Sequence, residues 1–191
     1  MKKQILIVAI LMLSGVSVSA QTVDKTIESI KKRYTEIAEK AKACETDDDR
    51  GQYGDLFMNT LTINSRNHQW RAVGIYGQKY KFFYRGGDSE ERLYPDQLVF
   101  VTVERKVSIR TYQEEYLFSD AGALIFYRQT AENDDQVPKS RLVYFSGMKS
   151  IRIIEDGRVR DKLTATDAAA VKQIRSQSGN FADIFNRSIK L

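Results

Sequence analysis

The chain has 191 residues, 42% of them hydrophobic, and a formal net charge of +5. That length supports one domain with a real core and is thin for two. A single cysteine, Cys44, excludes an intramolecular disulfide. With only one histidine, His68, the usual Cys/His zinc sites are excluded as well.

Lys2 and Lys3 precede an unbroken apolar run from Ile5 to Leu13. Ser14, Gly15 and Ser17 follow, and Val18-Ser19-Ala20 then offers small residues at a cleavage site. This is the pattern of a secretory signal. The run is too short to span a hydrocarbon core of ~30 Å. We therefore expect residues 1–20 to be a leader and residues 21–191 to be a single α+β domain. It would be exported, periplasmic or secreted, with no transmembrane segment in the mature chain. Loss of Lys2 and Lys3 takes the 30 basic residues to 28 against 25 acidic ones. A net +3 is only a weak argument for nucleic acid or anionic surfaces, and no nucleic acid is expected as a partner.

The first predicted element is a helix over 23–44. Val23, Ile27, Ile30, Tyr34, Ile37, Ala41 and Cys44 recur at spacings of four and three, which places them on one stripe. Charged residues fill the other face. Cys44 completes the stripe, so it is expected to be largely buried. A polar, acidic loop from Glu45 to Gly54 follows.

Strand patterns then succeed one another: 56–65, 70–76, 79–85, 97–104, 107–118, 123–129, 140–146 and 150–154. They are rich in Val, Ile, Thr, Tyr and Phe and are cut by turn residues such as Gly77, Gly86-Gly87 and Asp156-Gly157. Connections this short predict antiparallel neighbours. Tyr80, Phe82 and Tyr84 share one side of a strand, as do Tyr112, Tyr116 and Phe118. Leu98 to Val101 and Leu124 to Tyr127 are apolar on both sides. Those strands should be covered on both faces, or belong to a curved sheet closing on itself. The tail returns to helix, capped by Thr166 or Asp167. Gly179 is expected to break it, and Asn180 to cap a last short helix with Phe181, Ile184 and Phe185. The fold class is thus α+β: an N-terminal helix on a curved antiparallel sheet of about seven or eight strands, with one or two short C-terminal helices.

No catalytic constellation emerges. His68 lies in a polar turn and nothing brings Cys44 to it. The acidic run Glu45, Asp47, Asp49 starts like a calcium loop, but Arg50 and Leu56 stand where glycine and glutamate are needed. Glu114 and Glu115 are adjacent on a strand and point to opposite faces, so they cannot form a glycosidase pair. No metal, cofactor or phosphate-binding loop is implied. The remaining signal is aromatic: ten tyrosines, nine phenylalanines and Trp70. Tyrosine combines an apolar body with a polar tip and suits half-open binding surfaces.

Two stretches carry a resemblance: Leu61-Thr62-Ile63-Asn64-Ser65 with Trp70 to Tyr76, and Tyr112 to Phe118 with Asp120 to Phe126. Together they cover residues 56–130. They resemble small exported proteins of unknown function from Gram-negative gut bacteria. The resemblance implies export and one domain, and no activity.

These features point first to an exported binding or interaction module that uses the open, aromatic-rich face of its sheet. Candidate ligand contacts are Tyr80, Tyr84, Tyr112, Glu114, Tyr116 and Tyr127, and the partner would be a protein, peptide or glycan outside the cytoplasm. Two alternatives stand beside this. One is a carboxylate-dependent hydrolase built on Glu114, Asp96 and Asp120; the other is an assembly protein acting through helix 23–44.

Overall fold

A computed structural model describes residues 2–46, 56–86, 90 and 94–189, with side chains from Gln21 onward. Helix α1 runs Lys2–Thr46. Among the described residues nine strands follow: β1 Phe57–Ile63, β2 Gln69–Trp70, β3 Gly74–Arg85, β4 Gln97–Val107, β5 Arg110–Phe118, β6 Leu124–Glu132, β7 Ser140–Ser146, β8 Lys149–Glu155 and β9 Arg158–Arg160. Helix α2 closes the chain at Ala165–Ile189. The strands form one open antiparallel sheet in the order β1-β3-β4-β5-β6-β7-β8-β9, with β2 pairing the start of β3. Among the described residues no helix is long and apolar enough to cross a membrane.

The period-two pattern now has a physical meaning. One row of paired residues crosses the sheet as Phe82, Val101, Tyr116, Tyr127, Val143 and Ile153. It packs against Val171, Ile174, Phe181 and Phe185 of α2. The adjacent row, Phe83, Phe100, Leu117, Phe126 and Tyr144, packs on the opposite side under Ile27, Ile30, Ile37 and Ala41 of α1. The strands that read as apolar on both sides are those sandwiched between two helices. The sheet does not close on itself. Val99, Ile125 and Ile151 are extra residues at three register shifts. All three join the α1-side core, because a bulge lets two successive side chains face one way.

The 23–44 stripe faces the sheet as expected: Ile27, Ile30, Ile37 and Ala41 are buried in the α1-side core, and Val23, Tyr34 and Cys44 pack against it partly buried. Each fully buried Ile there contributes about 1.5–3 kcal/mol of transfer free energy. Cys44 is half-buried rather than sealed, with its thiol 3.5 Å from the Leu56 carbonyl.

Two expected breaks do not occur. Gly77 lies inside β3. A Cβ there would stand 3.3 Å from Asn67 Oδ1, so this glycine lets the 64–68 turn lie against the strand. Gly179 lies inside α2, which is one helix rather than two. Ile174, Ser178, Phe181 and Phe185 continue one buried stripe through it, and burial outweighs the ~1 kcal/mol that a mid-helix glycine costs. The cap is also different: Thr164 Oγ1 accepts from the Asp167 amide at 3.1 Å, while Asp167 Oδ2 accepts from the Thr164 amide at 2.9 Å. This is a reciprocal capping box, with Asp167 at its third position rather than at the cap.

Candidate functional site

All six residues singled out from the sequence fall on the α2 side of the sheet. Their setting is not the open face expected. Tyr116 and Tyr127 are buried, and Tyr116 meets Phe181 edge-on with centroids 4.9 Å apart. Tyr80 and Tyr84 are half-buried and pack on Phe181 and Phe185. Helix α2 therefore covers most of the tyrosine surface, because its own aromatic residues fill the gaps between the sheet rings.

Tyr112 and Glu114 lie past the end of that covered row. Glu114 is buried. It accepts the Tyr116 hydroxyl at 2.5 Å and faces Arg105 at 3.8 Å. The Gln177 side-chain amide sits 3.1 Å from the same hydroxyl, and Tyr127 donates to Gln129 at 3.1 Å. Burial, reinforced by the Glu114 carboxylate, pushes the Tyr116 and Tyr127 hydroxyls well above the ordinary phenol range. Tyr112 donates to Asp134, and the Arg105 guanidinium lies 4.3 Å from the Tyr112 ring centroid. Tyr80 bonds to Gln78. This group is a tyrosine–carboxylate network whose hydroxyls are satisfied internally. It orders the sheet end, and no hydroxyl in it is held ready to give up a proton.

Glu114 and Glu115 face opposite sides, as their adjacency requires. Glu115 accepts the Tyr34 hydroxyl from α1 at 2.6 Å. Arg128 donates to the same Tyr34 oxygen at 2.9 Å. Burial, with the hydrogen bond to the Glu115 carboxylate, pushes Tyr34 up to about 12 against the opposing Arg128. Asp96 and Asp120 line one cleft of about 360 Å³, walled by Leu98, Phe118 and Phe185. Asp120 is gripped by Arg33 at 2.6 Å and Arg85 at 2.7 Å. The Arg33 hydrogen bond above all holds its carboxyl below the usual range. His68 is exposed, and its backbone is held by the Asn64 side chain. The acidic run Asp47 to Asp49 lies outside the described residues. Among the described residues no group of three His, Cys, Asp or Glu is placed to hold a metal.

One surface escaped the sequence reading. β1 ends the sheet, and among the described residues no strand pairs with its outer side. Its seven residues contain no charge, proline or glycine. Phe57 is 49% exposed and Leu61 40% exposed. They share the α2 side with Tyr84, on which Phe57 stacks at 5.7 Å, and with Asn59, which accepts the Tyr84 hydroxyl at 3.0 Å. Trp70 and Val73 are exposed further along the same margin, and Trp70 lies 4.6 Å from the Tyr76 ring. At the other margin β9 has three residues, two of them Arg158 and Arg160. Short length and charge are the usual protections of a sheet edge, and only β9 has them. The signal was present in the sequence as an uncharged run of seven, but it means nothing until β1 is known to be an edge.

No family model matches the chain, and no curated protein or solved structure matches it with significance.

Proposed function

We propose that this is an exported interaction module that captures an extended protein segment along β1. The observation that carries the reading is the edge strand β1, unpaired on its outer side among the described residues: seven uncharged residues with Phe57 and Leu61 exposed beside Tyr84. Strand addition supplies affinity through main-chain hydrogen bonds and specificity through alternate side chains. Export rests on the leader pattern of residues 1–20. The helix face that an assembly protein would use is occupied by the sheet, which turns attention from α1 to the edge.

The test is selection of displayed random heptapeptides on the folded protein. Wild type should enrich extended, uncharged sequences. Leu61→Lys, which places a charge on the edge without entering the core, should not retain them. Failure of the monomeric protein to enrich any peptide, or equal retention by Leu61→Lys, overturns the reading.

The hydrolase alternative keeps one specific observation, the shared cleft of Asp96 and Asp120. The two arginines hold Asp120 in its ionised form, and Asp96 is the second carboxylate of that cleft. Mass spectrometry of a selected peptide after prolonged incubation separates the readings. A module leaves it intact, and a hydrolase acting on peptides cuts it, with loss of cutting in Asp96→Asn.

A further inference from the structure

Given that β1 is the contact edge, we infer that its occupant is a second copy of this chain, paired antiparallel about a two-fold axis at Thr60. The inference rests on the edge reading above and names its partner. A two-fold axis sets each residue against its mirror position, so Phe57 would oppose Ile63, Met58 would oppose Thr62 and Asn59 would oppose Leu61 of the other copy. Thr60 would face its own counterpart. An aromatic ring opposite a β-branched side chain and a threonine opposite a threonine are both favourable cross-strand pairs.

Charge selects the same partner. β1 carries none, so two copies meet without the like-charge contacts that would oppose symmetric pairing. A charged foreign segment would find no ion pair along this strand. An uncharged β-forming run suits such a strand, and β1 is itself one. The axis at Thr60 overlaps all seven residues, more than any other two-fold register. The same pairing would bring the exposed Phe57 and Leu61 of each copy to the seam and join two open sheets into one.

Sedimentation velocity and register-specific crosslinking test this. Wild type is expected to be a dimer at micromolar concentration, and Leu61→Lys a monomer with an unchanged circular dichroism spectrum. In a Cys44→Ser background, Thr60→Cys should form a disulfide-linked dimer at least tenfold faster than Thr62→Cys, because only position 60 meets itself. A monomeric wild type that still selects edge-binding heptapeptides overturns self-pairing and leaves the edge reading standing. A monomeric wild type that selects none overturns both. A dimer that survives Leu61→Lys, or that crosslinks no faster through position 60 than through 62, places its interface elsewhere and overturns the inference.

Discussion

Phe82 and Phe83 are neighbours in β3, yet each is the floor of a different core. Phe82 lies under Phe181 and Phe185 of α2, while Phe83 lies with Phe100 on the side that α1 covers. The consequence is two separate hydrophobic layers held by one strand. Truncating either residue to Ala should cost ~3–5 kcal/mol. Urea denaturation measures this, and an unchanged midpoint for either variant would mean that its helix does not seal that face.

Gly179 offers the opposite experiment. It lies in α2 with open space where a Cβ would go, and its backbone is not left-handed. Gly179→Ala should stabilise the protein by about 0.4–1 kcal/mol, through helix propensity and a less flexible unfolded chain. A small rise in thermal midpoint is the expected reading. A fall would mean that the glycine is needed for a contact.

Asp167 makes the fold acid-sensitive. Arg160 donates to it at 2.6 Å, and Thr164 adds the cap, so its carboxyl is held at about 2 rather than 3.8. A depressed acid contributes stability that is complete above the unfolded value and is lost as pH falls through the folded one. The contribution is about 2 kcal/mol and should disappear between about pH 4 and pH 2. Asp167→Asn should be less stable than wild type at pH 7 and nearly equal to it at pH 2. A constant gap across that range would mean that the charge is irrelevant.

Tyr116 and Tyr127 set the alkaline limit. Their hydroxyls are raised by burial, so the folded state holds protons that the unfolded chain releases. Stability should be complete below about pH 10 and fall as pH rises beyond it. Denaturation midpoints from pH 8 to pH 11 measure the decline. Tyr127→Phe should make it shallower, and an equal slope would remove Tyr127 from the account.

The leader reading predicts cleavage between Ala20 and Gln21. Beyond that point Asp24 of α1 meets Arg152 at 2.9 Å and Ile27 is buried against the sheet. If the leader directs export, intact mass of the protein recovered outside the cytoplasm should correspond to residues 21–191. Recovery of a full-length soluble form would rule cleavage out.

Much of this architecture is legible in the sequence alone. The stripe from Val23 to Cys44, the run of short strands and the divergence of Glu114 from Glu115 all follow from local periods of 3.6 and 2, which each segment carries in its own residues. The α+β order followed from the same patterns. Boundaries at Gly77 and Gly179 did not. A glycine's local preference is worth ~1 kcal/mol; at Gly179 the buried stripe of Ile174, Ser178, Phe181 and Phe185 outweighs it, and at Gly77 the close approach of the 64–68 turn to the strand makes use of it. Placement was decided only in three dimensions. Tyr116 and Tyr127 read as a surface because a period-two pattern marks two sides of a strand without saying what lies against them. The aromatic stripe of α2, some sixty residues later for Tyr116 and Gln177, turned one side into core. Phe57 and Leu61 became the exposed pair for the same reason in reverse. Being an edge is a property of the neighbours a strand lacks, and no residue within β1 encodes it.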